Sequence, residues 1–466
     1  MANTIWILTE ERPRFTAILQ IIELYCKDFN DTIVLDEEVK IRAVINKGVF
    51  QFKYIVEGLK VGDAENIIIK LVSGKSSFLD FLLFKQQNEP VEGKSGNILM
   101  GIEETKTSDD ESRNTGVSQR GSKFVYIDSY FKDVKLYMLY NDELQGREDK
   151  KPSGTSIFGT NILLTMGIEI VGKRIDKWFK PFETIDELIG YKNSMKQPPA
   201  SNVPINITKH SDKIEISGRL AKPADAGNIG HDPSIGALSM ISRCLRDLGW
   251  EKDIVITKHR VNQDYVDRTK GKNKFLYICN MLNLKLDGIV MPKAAAIPEL
   301  YWHYDIKSEK VATILLHVLG EYYGCVGVYH NHAGCERGYF KTKNMELLAL
   351  PKKDKSGENL YLPDLILYEP KTKDIVLVEG KQLSKLQDGI EELDLYDSIE
   401  NEYIKVYYPG CNIRRYVCIY GGSNVGIPHP DVLLYLNNDG QIYINKEAPG
   451  FIKDTFKKAG VTFVDS

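Results

Sequence analysis

Asp364, Glu379 and Lys381 are the residues of this chain whose types and spacing most directly imply chemistry. They lie in the segment LPDLILYEPKTKDIVLVEGKQ, where Asp364 opens one apolar run and Glu379-Gly380-Lys381 closes a second. A carboxylate, followed by a carboxylate two residues before a lysine, is what Mg²⁺-dependent hydrolysis of a phosphodiester requires. A hard cation takes oxygen ligands, and Mg²⁺ is commonly held by one or two protein carboxylates plus water and substrate phosphate. A lysine beside it would orient the attacking water or stabilise the charge developing on phosphorus. A looser echo occurs nearer the start, at Asp80 and Glu104-Thr105-Lys106.

The flanking residues predict the elements that must position these groups. Lys373-Asp374 is a polar turn between Leu365-Ile366-Leu367 and Ile375-Val376-Leu377-Val378, which read as adjacent antiparallel strands. The nearly continuous aliphatic run suits a strand buried on both faces. Side chains alternate along a strand, so Glu379 and Lys381 leave it on one face. Upstream, Val311, Ile314, Leu315, Val318 and Leu319 have helical spacing within 308–323. Downstream, 384–403 reads as a helix and 415–420 as a further strand. The N-terminal copy has the same order: a helix over 15–25, a run at 78–84 containing Asp80, a strand ending in Glu104 and Lys106, a helix from about Gly116 towards Tyr130, and a strand at 136–140.

A bare Glu-x-Lys triplet carries little weight. Glu38-Val39-Lys40, Glu92-Gly93-Lys94, Glu148-Asp149-Lys150 and Glu369-Pro370-Lys371 all match it, mostly in polar or Gly/Pro-containing stretches. Glu379-Gly380-Lys381 differs because it ends an apolar strand and follows a Pro-Asp strand. The bland alternative is an ion pair capping a structural sheet.

The order helix, strand hairpin, helix, strand resembles the core of the PD-(D/E)xK nuclease superfamily, which includes many type II restriction endonucleases. The resemblance covers roughly 308–422 and 15–140. It implies an α/β (α+β) fold: mixed central sheets flanked by helices, in two nuclease-like cores joined by a middle region. It further implies a site-specific double-stranded DNA endonuclease. Asp364 and Glu379 would hold Mg²⁺ and Lys381 would serve catalysis, with Asp80, Glu104 and Lys106 in the same roles at a second site. The cognate DNA methyltransferase would be a partner of the system, not a stable subunit. A chain with two sites would cut both strands of an asymmetric target, as a monomer or a homodimer. The rival expectations are a single-site nuclease of repair, recombination or transposition whose N-terminal domain reads DNA, and a non-catalytic DNA-binding protein.

Composition sets the remaining bounds. The 466 residues are 42% hydrophobic and 27% charged, with a net charge of −3, which is globular and argues against a broad basic coat for nucleic acid. Seven scattered cysteines suggest reduced thiols and a cytoplasmic setting. No signal peptide or membrane-spanning stretch is expected. The Pro/Gln/Asn-containing stretch at 196–202 marks a linker, giving a nuclease-like domain over 1–195, a middle linker and DNA-recognition region over 196–300, and a nuclease domain over 301–466. Arg113, Gln119 and Arg120, the basic loop carrying Arg268, Lys270 and Lys272, and Arg337 are candidate DNA contacts, since arginine is the commonest reader of guanine. His330-Asn331-His332 spells HNH, but three consecutive residues cannot form that nuclease site. Cys325, His330, His332 and Cys335 offer the ligand types of a compact Zn²⁺ set, but C-x4-H-x-H-x2-C is not the spacing of a defined zinc fold, and 329–340 reads instead as a loop beside the C-terminal cleft that contacts DNA.

Overall fold

The computed structural model describes residues 3–75, 77–93, 98–105, 116–140, 152–172, 178–196, 203–222, 224, 226–230, 232–270, 272–292, 300–332 and 338–462. The described chain is mixed α/β, in two compact units. One comprises Met1–Ser73, Leu83–Pro90 and His303–Ser466, and the other Gly74–Leu82 and Val91–Trp302. The grouping differs from three consecutive segments because the N-terminal strands belong with the C-terminal part of the chain.

In the first unit, β1 (Asn3–Thr9) and α1 (Phe15–Phe29) precede three long strands, β2 (Ile33–Asn46), β3 (Val49–Val61) and β4 (Ala64–Leu71). β2 and β3 form a hairpin closed by Lys47-Gly48, both at positive φ (49° and 79°), the requirement of a tight two-residue turn. β4 pairs antiparallel with β3 and parallel with β1. β5 (Phe81–Gln86) follows.

The second unit holds a parallel array of β6 (Met100–Thr105), β7 (Lys135–Tyr140) and β8 (Glu169–Val171), with α2 (Gly116–Ile127) crossing between β6 and β7, and α3 (Gly154–Thr165) between β7 and β8. A second small sheet contains Ile207–Lys209, Lys213–Ser217, Asp253–Thr257 and Leu284–Leu286. Its crossover helix, α4 (Asp232–Asp247), packs closely on α2. A Cβ on Gly236 would lie 2.4 Å from the Ser118 carbonyl oxygen, and one on Gly121 would lie 2.3 Å from Met240 Sδ. The expected basic loop is flanked by helices: Arg268 lies in the last turn of one, Gln263–Thr269, and Lys274 begins another, Lys274–Leu282, with Lys270 and Lys272 between them.

The first unit resumes with α5 (Val311–Tyr322), then a six-stranded sheet. Its strands in chain order are β9 (Val326–His330), β10 (Leu365–Glu369), β11 (Asp374–Gln382), β12 (Asn412–Tyr420), β13 (Val432–Leu436) and β14 (Ile442–Ile444), and they neighbour one another in that order. β10 and β11 form the expected antiparallel hairpin, Leu365 opposite Val378. β11 and β12 are parallel, so the chain between them must cross over a face of the sheet. It does so through 383–407, which is not the single helix expected. It is a succession of short 3₁₀, α and π turns, of which Leu386–Glu392 is α-helical (α6). Ile375, Val376, Leu377 and Val378 are all fully buried, so β11 is covered on both faces as its composition predicts.

Leu377 packs in a cluster with Val417, Ile419, Tyr396 and Ile399. Leu377→Ala should therefore lower the unfolding free energy by about 2–5 kcal/mol through lost burial and a residual cavity. Denaturant unfolding checks this; a loss well under 1 kcal/mol would contradict a central position for β11.

Candidate active sites

The C-terminal cluster is assembled from three consecutive features of the sheet. Asp364 sits immediately before β10, and the neighbouring β11 carries Glu379-Gly380-Lys381 just before its last residue, Gln382. Antiparallel pairing brings the two ends together, and the Asp364 Oδ2 accepts the Gly380 N–H at 2.8 Å. Alternation then turns Glu379 and Lys381 to one face and Gly380 to the other. Lys381 Nζ donates to Glu379 Oε1 at 2.9 Å and to Glu392 Oε2, on α6, at 2.8 Å. The Tyr396 hydroxyl donates to Glu379 Oε2. On the opposite face, Lys310, at the start of α5, pairs with Asp364. A side chain at position 380 would meet Thr313 Oγ1 at 2.5 Å and Asp364 Oδ2 at 3.1 Å. Only glycine leaves that space beside the aspartate. All three expected residues are thus brought together.

Their electrostatics follow from burial. Asp364 and Glu379 are 5% and 4% exposed. Burial pushes the Asp364 carboxyl above its ordinary value, against the pull of Lys310 and the Gly380 amide. Burial and the nearby Asp364 charge do the same to Glu379, against Lys310, Tyr396 and Lys381. Lys381 moves the other way: burial opposes its charge, but Glu392 and Glu379 hold its pKa above the usual lysine range. Two carboxylates remain short of compensating positive charge, which is the donor set a divalent cation suits. Sequence reasoning missed Lys310, Glu392 and Tyr396. They approach from two segments, the start of α5 and the 383–407 crossover, and no spacing relative to Asp364 or Glu379 announces them.

The N-terminal cluster lies in the other unit and departs from expectation by one residue. Asp80 precedes β5, and its Oδ2 accepts the Glu104 N–H at 2.7 Å. This is the same bond that Asp364 makes to Gly380, so Glu104 stands in the place of glycine, and Glu103 in that of Glu379. The Glu103 Oε2 accepts the Asp80 N–H at 3.3 Å. Lys123 Nζ, from α2, lies 2.7 Å from Glu103 Oε1 and 3.4 Å from Asp80 Oδ1, and Arg120 Nε is 3.6 Å from Glu103 Oε1. The carboxylate that meets Asp80 is therefore Glu103 and not Glu104. Glu104 turns to the opposite face by strand alternation and is itself buried. Lys106 lies outside the described residues; among the described residues, Lys123 brings a lysine to Glu103. The missed signal was on the helix: Arg120, Lys123 and Ile127 share one face at helical spacing, and Ile127 lies on the Gly101 side of β6, the side that Glu103 shares.

Of the expected DNA contacts, Arg120 is drawn to Glu103, Gln119 is exposed, and Arg268 donates to Asn228 Oδ1 at 3.0 Å. Lys270 and Lys272 are exposed, and Arg113 and Arg337 lie outside the described residues.

Glu103 is 1% exposed. Burial, reinforced by Asp80, pushes its carboxyl from 4.5 up to about 8, against Lys123 and Arg120. A raised carboxyl favours the folded state fully below pH 4.5 and loses that contribution as pH rises through about 8. In EDTA, Tm should accordingly fall between pH 5 and pH 8 by more in the wild type than in Glu103→Gln, whose amide cannot ionise. Equal slopes in thermal melts would contradict the burial of this acid.

No family model, curated protein or solved structure matches this chain.

Proposed function

We propose that the chain is a Mg²⁺-dependent endonuclease acting on double-stranded DNA, similar in its two cores to PD-(D/E)xK restriction enzymes. One observation carries the reading. Two clusters in separate units each seat an aspartate, buried at Asp364 and half-buried at Asp80, on the backbone amide that follows a buried glutamate, with a lysine on that glutamate. In both, the glutamate lies in the C-terminal half of a strand, a helical segment follows, and a parallel strand comes next. A structural ion pair has no need to recur with this backbone detail.

On this reading Asp364 and Glu379 hold the metal in one core, and Asp80 and Glu103 in the other. The ion, when bound, supplies Lewis-acid charge and lowers the pKa of a water for in-line attack on phosphorus. The chain's own groups do the rest. Lys381, fixed between Glu379 and Glu392, keeps its proton and points an ammonium at the Glu379 carboxylate. It would orient the attacking water and donate to a phosphoryl oxygen as charge develops there. Lys123 has the corresponding place in the first core. Tyr396 fixes the rotamer of Glu379 through its hydroxyl. Lys310 balances Asp364 in the metal-free chain and would yield that carboxylate to the ion.

Supercoiled plasmid incubated with Mg²⁺ tests the proposal. Wild type should linearise it. Glu379→Ala and Glu103→Ala should each nick only one strand, and the double variant should be inert, with rate losses of at least about 100-fold per strand for groups acting on the transition state. If Glu379→Ala abolishes both cuts while Glu103→Ala cuts normally, the first core reads DNA without cutting it. If the wild type cleaves no DNA, the nuclease reading fails.

The raised carboxyls of Asp364 and Glu379 add a pH dependence. The metal binds only the ionised forms, so at limiting Mg²⁺ cleavage should rise with pH, and saturating Mg²⁺ should shift that rise to lower pH. An apparent Mg²⁺ affinity flat with pH would contradict this.

A further inference from the structure

A third cluster lies in the first unit, and the nuclease reading makes no use of it. His317, Glu321, His330 and His332 come from α5, the end of β9 and the residues just after it. Ligand atoms of the three histidines all lie within 4.8 Å of one another. The His330 and His332 rings stack at 14° with centroids 5.3 Å apart, and His317 faces both, at 5.1 and 5.2 Å. His317 Nδ1 is 2.9 Å from His332 Nε2.

The other side of His317 is also built. Its Nε2 lies 3.3 Å from the Glu321 Oε1, one helical turn on, and Glu321 pairs with Arg12. A carboxylate behind one ring nitrogen favours the tautomer that leaves the opposite nitrogen's lone pair available, the arrangement found behind metal-binding histidines. Position 327 must be glycine for this, because a Cβ there would lie 2.3 Å from His317 Nε2. His317 is fully buried, and burial together with the Arg12 charge pushes its pKa down to about 4. It is a neutral imidazole at pH 7, as a ligand must be.

We propose that His317 Nδ1, His330 and His332 form a binding site for a borderline transition-metal ion of the Zn²⁺ type, separate from the carboxylate clusters. Three imidazoles suit Zn²⁺, Co²⁺, Ni²⁺ or Cu²⁺ and not Mg²⁺. With metal–nitrogen bonds of about 2.0–2.1 Å, tetrahedral ligands stand roughly 3.3 Å apart. The His317–His332 pair must open slightly and the widest pair must close by at most about 1.5 Å, a movement within reach of side-chain rotation at His330 and His332.

The position gives the site a consequence. Between the two ligands, the Asn331 N–H donates to the Asp364 carbonyl at 2.8 Å, and His330 is in register with Leu365. An ion clamping His330 and His332 to α5 would fix the backbone on which Asp364 sits. The compact zinc-like set seen in the sequence is thus corrected in part. His330 and His332 remain, but Cys325 Sγ is turned to the Glu369 carboxylate at 3.5 Å, and His317 takes part from the preceding helix. Cys335 lies outside the described residues.

The test uses the full chain, stripped with chelator and desalted, then titrated with Zn²⁺ and with Co²⁺ in the presence of excess Mg²⁺. We expect one ion per chain, a visible Co²⁺ spectrum of low coordination number, and a Tm that rises with Zn²⁺. His332→Ala, at a position away from the helix core, should weaken binding more than 10-fold, and Glu321→Gln by about 10- to 100-fold. Asp364→Ala should bind as wild type does. Binding that survives in His332→Ala, disappears in Asp364→Ala, or is absent from the wild type overturns the proposal. None of these readouts depends on DNA cleavage.

Discussion

The arrangement at both carboxylate clusters depends on one hydrogen bond, from a strand-end amide to an aspartate that precedes the neighbouring strand. At 2.8 Å from Gly380 and 2.7 Å from Glu104, this bond fixes Asp364 and Asp80 opposite a glutamate that burial alone would neutralise. Burying an unpaired carboxylate costs several kcal/mol, and removing one partner of a buried pair costs about 3–5 kcal/mol. Lys310, Lys381, Tyr396, Lys123 and Arg120 are best understood as the compensation each glutamate–aspartate pair demands. Desolvation still wins, since Asp364, Glu379 and Glu103 all stay above their ordinary pKa values. On the proposed reading, a cation of higher charge would relieve residual strain of this sign.

The two clusters solve that demand differently. In the C-terminal one the lysine comes from the strand itself, two residues after the glutamate, and α6 answers it with Glu392. In the N-terminal one the lysine comes from the following helix, and Arg120 joins it one turn earlier. Each lysine reaches the corresponding glutamate, Glu379 or Glu103. The charge needed at the strand end is therefore specified more tightly than the segment that delivers it. This is expected where a function is electrostatic, because a field at a point is indifferent to which backbone carries its source.

Local patterning was legible where one physical period dominated. The aliphatic run 375–378 announced a doubly covered strand, and Glu379 and Lys381 fell on one face as period two requires. The hairpin turn occupies 370–373, so Lys373 lies in it as expected, whereas Asp374 already opens β11 opposite Glu369. Legibility failed where two periods or two segments competed. Glu103-Glu104 is a doublet, and a slip of one residue exchanges the faces of a strand. The Glu-x-Lys motif points to Glu104, whereas the helix face that carries Lys123 meets Glu103. The crossover at 383–407 was expected as one helix, because apolar spacing does not distinguish α turns from the 3₁₀ and π turns interleaved there. Division into units was hidden for another reason. The association of residues 3–71 with the C-terminal sheet unit is a long-range property, and no local composition marks it.

The difference between the clusters also bears on what a nuclease of this kind would cut. An enzyme with one site per chain cuts two strands by pairing identical subunits, and its twofold axis then favours a target with the same symmetry. Two unlike sites in one chain carry no such axis. Their lysines come from different elements and their glutamates have different partners, so pKa and metal affinity need not agree between them. On the proposed reading the two strands of an asymmetric target would be cut at different rates, with a nicked intermediate accumulating wherever the slower site lags. That asymmetry follows from Lys381 lying on a strand and Lys123 on a helix. It would persist even if both sites were fully competent.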